Sequence, residues 1–129
     1  MSDKFKVEII TPDQKILSTE ASEVTIPSYE GQMGILKDHI PLITFLRPGI
    51  IFLKNQVESK YFVEEGTVEF SENNLLILTS TAKDIKNLKK NSLNNLLEDA
   101  EKKLKNENST DKEKFILSYK VETLREIIQ

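Results

Sequence analysis

Cysteine is missing from all 129 residues, and histidine occurs once, at position 39. The first absence excludes a disulfide framework, a thiolate nucleophile and Cys-type zinc coordination. The second leaves His39 able to bind zinc only alongside carboxylates, a rare structural set, so no metal is expected. No apolar run approaches the ~20 residues needed to cross a bilayer, and the opening "MSDKFKVEII" alternates charge without the apolar core of a leader peptide. The chain is expected to stay soluble, with no direct membrane insertion. An excess of positive charge is missing too. The 18 Lys and Arg against 21 Asp and Glu give a net charge of -3, with lysines scattered among acids, so the basic face that a nucleic acid requires is not expected. Neither GxxxxGK[ST] nor GxGxxG occurs, so no phosphate cradle is signalled. Ser59, Thr79 and Ser80 have no histidine in a triad arrangement. What is left is too small a catalytic inventory for an enzyme in its own right.

What is present falls into two parts with different periods. Up to about Thr81, short apolar bursts are bounded by turn formers: "KFKVEII", "EVTIP", "LITFL", "IIFLK" and "YFV". These read as strands, with Phe5, Val7 and Ile9 on a buried face. The run Leu75 to Leu78 in "NNLLILTSTA" predicts a strand covered on both sides. Many short strands at close spacing favour a β-sandwich or barrel. After Thr81 glycine and proline disappear and Lys, Glu, Asn and Leu dominate, which favours helix. Ile85, Leu88, Leu96, Ala100 and Leu104 cluster on one side of a first helix, with Leu93 and Leu97 at its edge. That helix starts somewhere between Asp84 and Ser92. Thr110 and Glu113 fit a capping box opening a second helix, along which Leu117, Val121, Leu124 and Ile128 recur at helical spacing. Facing stripes predict an antiparallel hairpin. The expected class is mainly β plus α, with residues 1–83 as the β domain and 84–129 as the helical arm.

One segment resists a purely structural reading. "EGQMGILKDHIPLI", Glu30 to Ile43, packs two glycines, the histidine and a proline between apolar runs. His39 has Asp38 beside it, but neighbouring strand residues point to opposite faces, so the sequence supplies no orienting carboxylate. A packing or interface histidine is the commoner outcome. Gly31 and Gly34 form a GxxG without flanking basic residues, which fits a tight turn or a close approach of another chain.

These residues carry a resemblance. "VTIPSYEGQMGILKDHIPLITFLRPGII", Val24 to Ile51, is similar to the signature of the epsilon subunit of bacterial F-type ATP synthases, with "EGQMGIL", "DHIPL" and "RPG" in that family's order. The resemblance implies an N-terminal β-sandwich followed by a C-terminal antiparallel two-helix hairpin. It also implies a non-catalytic part of the central rotor stalk, set against the gamma subunit and the ring of c subunits at the cytoplasmic face of the bacterial inner membrane. Residue by residue, Glu30, Gly31 and Gln32 match the turn that touches the ring. His39, Pro41, Leu42 and Thr44 match the part that packs toward gamma. The stretch would then hold two neighbouring contact surfaces. The family's hairpin can fold on the sandwich or extend into the alpha/beta catalytic head and restrain hydrolysis. Lys112, Lys114, Lys120 and Arg125 are the cations such an arm would offer to an acidic surface there. Some relatives bind ATP through an Asp, an Arg and an Ala early in the first helix; here Lys89, Ser92 and Leu93 stand at those positions. The carboxylate and guanidinium that would hold the nucleotide are missing, so no cofactor is expected. Asp38 replaces the glycine that usually precedes the histidine. The competing reading is an unrelated β-sandwich adaptor with a partner-binding helical arm.

Overall fold

The computed structural model describes residues 3–129. Ten strands precede two helices: β1 (Phe5–Ile10), β2 (Lys15–Ala21), β3 (Glu23–Ser28), β4 (Gly31–Leu36), β5 (Leu42–Leu46), β6 (Gly49–Lys54), β7 (Glu58–Val63), β8 (Gly66–Ser71), β9 (Asn74–Leu78), β10 (Ala82–Asp84), α1 (Lys90–Leu104) and α2 (Asp111–Ile128). They form two layers. The first runs β10-β7-β6-β3 with β4 beside β3; the second runs β5-β8-β9-β1-β2, with β1 parallel to β9. The layers join where Ser28 of β3 pairs with Leu46 of β5. Inward-facing Val24, Ile26, Ile51 and Val63 of the first layer meet Val7, Ile9, Val68 and Ile77 of the second, all within 1 % of full burial. The expected sandwich is therefore present, closed by period-2 alternation.

Four strands lay outside the apolar bursts. β2 mixes polar and apolar residues at a layer edge, with Ile16 and Leu17 packed on the core, β10 has three residues, and β4 and β8 carry glycines. The expectation of a doubly covered "LLIL" needs correction. In β9, Leu75 and Ile77 are buried but Leu78 is 45 % exposed, because no element among the described residues lies over the outer side of the second layer. The doubly covered strands are β6 and β7. Ile51 and Val63 face the sandwich core, whereas Ile50 and Phe62 on the reverse side are buried at 8 % and 2 % exposure, and Phe62 lies beneath the helices.

The helical arm also departs from the expected phase. Asp84 caps a 3₁₀ turn, Ile85–Asn87, by accepting from the Lys86 amide at 3.0 Å, and Leu88 then returns to extended backbone. Ile85 and Leu88 lie outside α1, so they do not set its buried face. Leu93, expected at the edge, is a buried centre of that face together with Ala100. α2 opens with the expected capping box: the Glu113 amide donates to Thr110 Oγ1 at 3.1 Å, and the Thr110 amide donates to the Glu113 carboxylate at 3.3 Å. The hairpin seats Leu93 and Leu124 on Phe62, over the outer side of the first layer. α2 also buries Thr123, a position outside the leucine stripe.

Candidate functional site

The two halves of the Glu30–Ile43 segment lie at opposite ends of β4. Six strand residues separate them by about 20 Å. At one end, Tyr29 and Glu30 form the tip of a tight turn, in which Ser28 Oγ donates to the Gly31 carbonyl at 2.6 Å. Gly31 has φ 124 and open space where a Cβ would sit. It is needed for backbone conformation, not for room. Glu30 and Gln32 are exposed beside it.

At the other end Asp38 takes φ 66. Asn73, in the β8–β9 turn, supports it twice: the Asp38 amide donates to Asn73 Oδ1 at 2.7 Å, and Asn73 Nδ2 donates to Asp38 Oδ1 at 3.0 Å. The carboxylate is thus engaged away from the imidazole. The half-buried His39 ring meets Phe70 edge-on, with centroids 5.9 Å apart, and its Nδ1 lies 2.7 Å from the Ile40 carbonyl. That oxygen only accepts, so a protonated Nδ1 satisfies the contact. Asp38 and His39 do not form an acid–base pair. Pro41 is exposed, and Leu42 packs against the sandwich core. Thr44 shares the side of β5 that Leu42 occupies, by strand alternation.

The opposite side of β5 carries the residues that the sequence reading passed over. Ile43 and Phe45 are 76 % and 57 % exposed. Through the strand pairing, Phe45 aligns across the second layer with Thr67, Leu78 and Ile10. Ile43 aligns with Glu69, Leu76 and Glu8. This is an open, largely apolar face with a carboxylate fringe. At its Phe45 end it deepens into a groove of about 670 Å³ lined by Ile10, Pro12, Tyr29, Phe45 and Leu78, with Glu65 at the rim accepting from the Ser80 amide at 2.9 Å. The signal was present in "LITFL" and "LLIL", where residues of both parities are apolar. One parity faces the core, and the other is left uncovered among the described residues. Along the same face the Glu8 carboxyl is held below its ordinary value, first by its hydrogen bond to Lys15, whose ammonium lies 2.9 Å away.

The helical arm is fastened by polar contacts as well as by its leucines. The Arg47 guanidinium lies 3.9 Å over the Tyr119 ring and donates from Nη1 to the Pro48 carbonyl at 2.9 Å. Lys120 pairs with Glu64 at 2.6 Å, and Arg125 joins Glu101 across the hairpin at 2.6 Å. Two of the four expected arm cations are thus engaged in this conformation, while Lys112 and Lys114 are exposed. Tyr29 stacks on Phe115, with centroids 6.1 Å apart. Lys89 is exposed at the N-cap of α1, Ser92 is exposed in its first turn, and Leu93 is buried on Phe62. On the sandwich side of β7, where Tyr61 pairs with Asp84 of β10, the Tyr61 hydroxyl is pushed above its ordinary pKa by burial and by the nearby Asp84 charge. Among the described residues, no three His, Asp or Glu side chains gather as a metal site, and no helix is long and apolar enough to cross a membrane.

Residues 4–85 match the family model for the ATP synthase delta/epsilon chain β-sandwich domain. The chain is 46 % identical over 127 residues to the ATP synthase epsilon chain of Pelagibacter ubique (strain HTCC1062), covering 97 % of this chain and 98 % of that one. It is 30 % identical over 135 residues to that of Rhizobium etli (strain CIAT 652), covering 100 % and 98 %. The fold is shared with a chain of the Euglena gracilis mitochondrial ATP synthase structure (OSCP/F1/c-ring), at TM-score 0.81 and 20 % identity over 100 % of this chain and 84 % of that one. A chain of the Tetrahymena thermophila mitochondrial ATP synthase central stalk and c-ring gives TM-score 0.64 at 15 % identity, with 96 % of each covered. An unrelated adaptor has no support from these matches. With a family model spanning the β domain and relatives matched nearly end to end, the chain belongs to the ATP synthase epsilon chain family.

Proposed function

We propose that the chain serves, without catalysing a reaction itself, as a central-stalk subunit of a proton-translocating F-type ATP synthase, coupling rotation of the ring to synthesis in the catalytic head. The observation that carries this reading is the uncovered apolar face of β5, β8 and β9. A folded monomer seldom leaves such a face to water, and a permanent subunit interface accounts for it. Gamma is the proposed cover, through Ile43, Phe45 and Leu78 with His39 and Pro41 at the far end; Leu42 and Thr44 position that strand from its core side. The turn at Glu30, Gly31 and Gln32, exposed at the other end of β4, is the proposed contact with the polar loops of the c ring. The complex holds the chain peripherally at the cytoplasmic face of the bacterial inner membrane.

In this reading the hairpin is a movable arm seated in its folded position, able to restrain hydrolysis by extending into the alpha/beta head. Its seat does not require ATP, because Lys89, Ser92 and Leu93 offer neither the carboxylate nor the guanidinium of the nucleotide motif. The test is ATP hydrolysis by a reconstituted alpha/beta/gamma head with either the full chain or a chain truncated after Asp84, each checked for co-purification with gamma. Binding of both, with slower hydrolysis only for the full chain, supports stalk and arm together. Absence of any gamma binding in low salt overturns the stalk reading. Micromolar, saturable ATP binding by calorimetry overturns the nucleotide-independent seat.

A further inference from the structure

We infer that Tyr29 couples the seating of the helical hairpin to the docking of gamma on the open face, so that each favours the other; this rests on the stalk reading above. The hairpin covers the first layer and the open face belongs to the second. Tyr29 lies where the two meet. Its ring stacks on Phe115 of α2 with an interplanar angle of 22°, and it also lines the groove beside Phe45 and Leu78. Its backbone is tied to the same strand, the Tyr29 amide donating to the Phe45 carbonyl at 3.2 Å. Phe115 is held in turn by Tyr119, with centroids 5.0 Å apart, and Tyr119 lies under the Arg47 guanidinium. A continuous stack therefore runs from the arm's anchor to the wall of the groove.

The coupling is entropic in origin. Tyr29 is 41 % exposed and sits on a turn, so with the arm released its ring is free to sample several rotamers. With the arm seated, Phe115 holds one of them. A partner entering the groove then meets a wall already ordered, and by linkage its presence favours the seated arm by the same factor. Phe115 does not line the groove. Its removal reaches a docked partner through Tyr29.

The experiment compares gamma affinity for the full chain and for Phe115→Ala, Phe115→Tyr, Tyr29→Ala and the Phe115→Ala/Tyr29→Ala double variant. Hydrogen exchange of the α2 amides, with and without gamma, is the second readout. The expected result is about fivefold weaker binding for Phe115→Ala, the lower end of ordinary coupling, with near wild-type binding for Phe115→Tyr. Phe115→Ala should add nothing in the Tyr29→Ala background, and gamma should increase α2 protection only where Tyr29 is present. Unchanged affinity in Phe115→Ala overturns the inference, and so does an equal loss in both backgrounds, which means direct contact of Phe115 with gamma. Failure of the unmodified chain to bind gamma overturns the stalk reading and the coupling together.

Discussion

Leu124→Ala should release the helical arm while leaving the sandwich folded. Leu124 is fully buried, and its cluster comprises Phe62 and Leu93 with partly buried leucines and isoleucines around them, separate from the sandwich core. Truncating such a leucine costs about 2–5 kcal/mol, from the lost transfer energy and the residual cavity. At about 3 kcal/mol, the ratio of seated to released arm falls by more than about a hundredfold. The remaining fasteners are already present in the seated state and gain nothing from the substitution: Arg125–Glu101 is exposed and joins the helices to each other, Lys120–Glu64 is one partly exposed pair worth about 0–1 kcal/mol, and the Arg47–Tyr119 and Tyr29–Phe115 ring contacts are unchanged. The assay is native-state hydrogen exchange by NMR. Amides of α1 and α2 should lose protection while those of Val7, Ile9 and Ile77, deep in the sandwich, keep theirs. Phe62→Ala, which removes the part of that cluster supplied by β7, should release the arm likewise. Equal loss of protection at every amide in Leu124→Ala would show that arm and sandwich form one cooperative unit, and unchanged α2 protection would show that the leucine cluster is not what seats the arm.

Three further outcomes follow from particular contacts. Gly49→Ala places a Cβ 2.5 Å from Pro27 Cβ and 3.1 Å from Arg47 Nη1, an overpacking that should lower stability by about 1–3 kcal/mol in a urea titration; an unchanged midpoint refutes it. The Tyr61 hydroxyl is pushed above its ordinary 10.0 by burial and by Asp84. The folded state therefore favours the neutral phenol, and that contribution, complete below the unfolded pKa, disappears as pH rises through the folded one. Absorbance titration of a Tyr29→Phe/Tyr119→Phe chain should give a midpoint above that of the denatured chain, and a midpoint at or below it rejects the assignment. Glu8 is held below its ordinary 4.5 by Lys15, so its contribution is present above that value and lost as pH falls through the folded pKa. Lys15→Met should lower the urea midpoint at pH 6 and not at pH 2; the same effect at both rejects the pairing.

Much of the β domain could be read from alternation because an inward and an outward parity suffice to place a strand. Phe5, Val7 and Ile9 show this, and all three are buried. Alternation fails where both parities are apolar, since it does not say which cover lies on the second side. In β6 and β7 that cover is the hairpin; over β5 and β9 no element among the described residues supplies one. The four residues of "LLIL" therefore read as doubly buried although Leu78 is 45 % exposed. Helical phase failed for a local reason. Asp84 satisfies the Lys86 amide and closes a 3₁₀ turn, which detaches Ile85 and Leu88 from the periodicity that the remaining leucines follow. The capping box was readable because Thr110 and Glu113 meet within one turn and need no tertiary partner.

The Glu30–Ile43 segment shows what sequence proximity cannot supply. Its two ends are separated by the full length of β4, so residues close together in the signature lie about 20 Å apart. Conversely, Asn73 lies 35 positions beyond Asp38 and is what makes that aspartate tolerable at φ 66. A left-handed non-glycine residue costs roughly 1–2 kcal/mol, and two hydrogen bonds at about 1 kcal/mol each are of the size needed to offset it. The same bonds draw the carboxylate away from His39, which leaves the imidazole to pack on Phe70 and satisfy the Ile40 carbonyl. The one histidine next to an aspartate is thus held by packing rather than paired for acid–base work, and the left-handed backbone at Asp38 is supported from the β8–β9 turn.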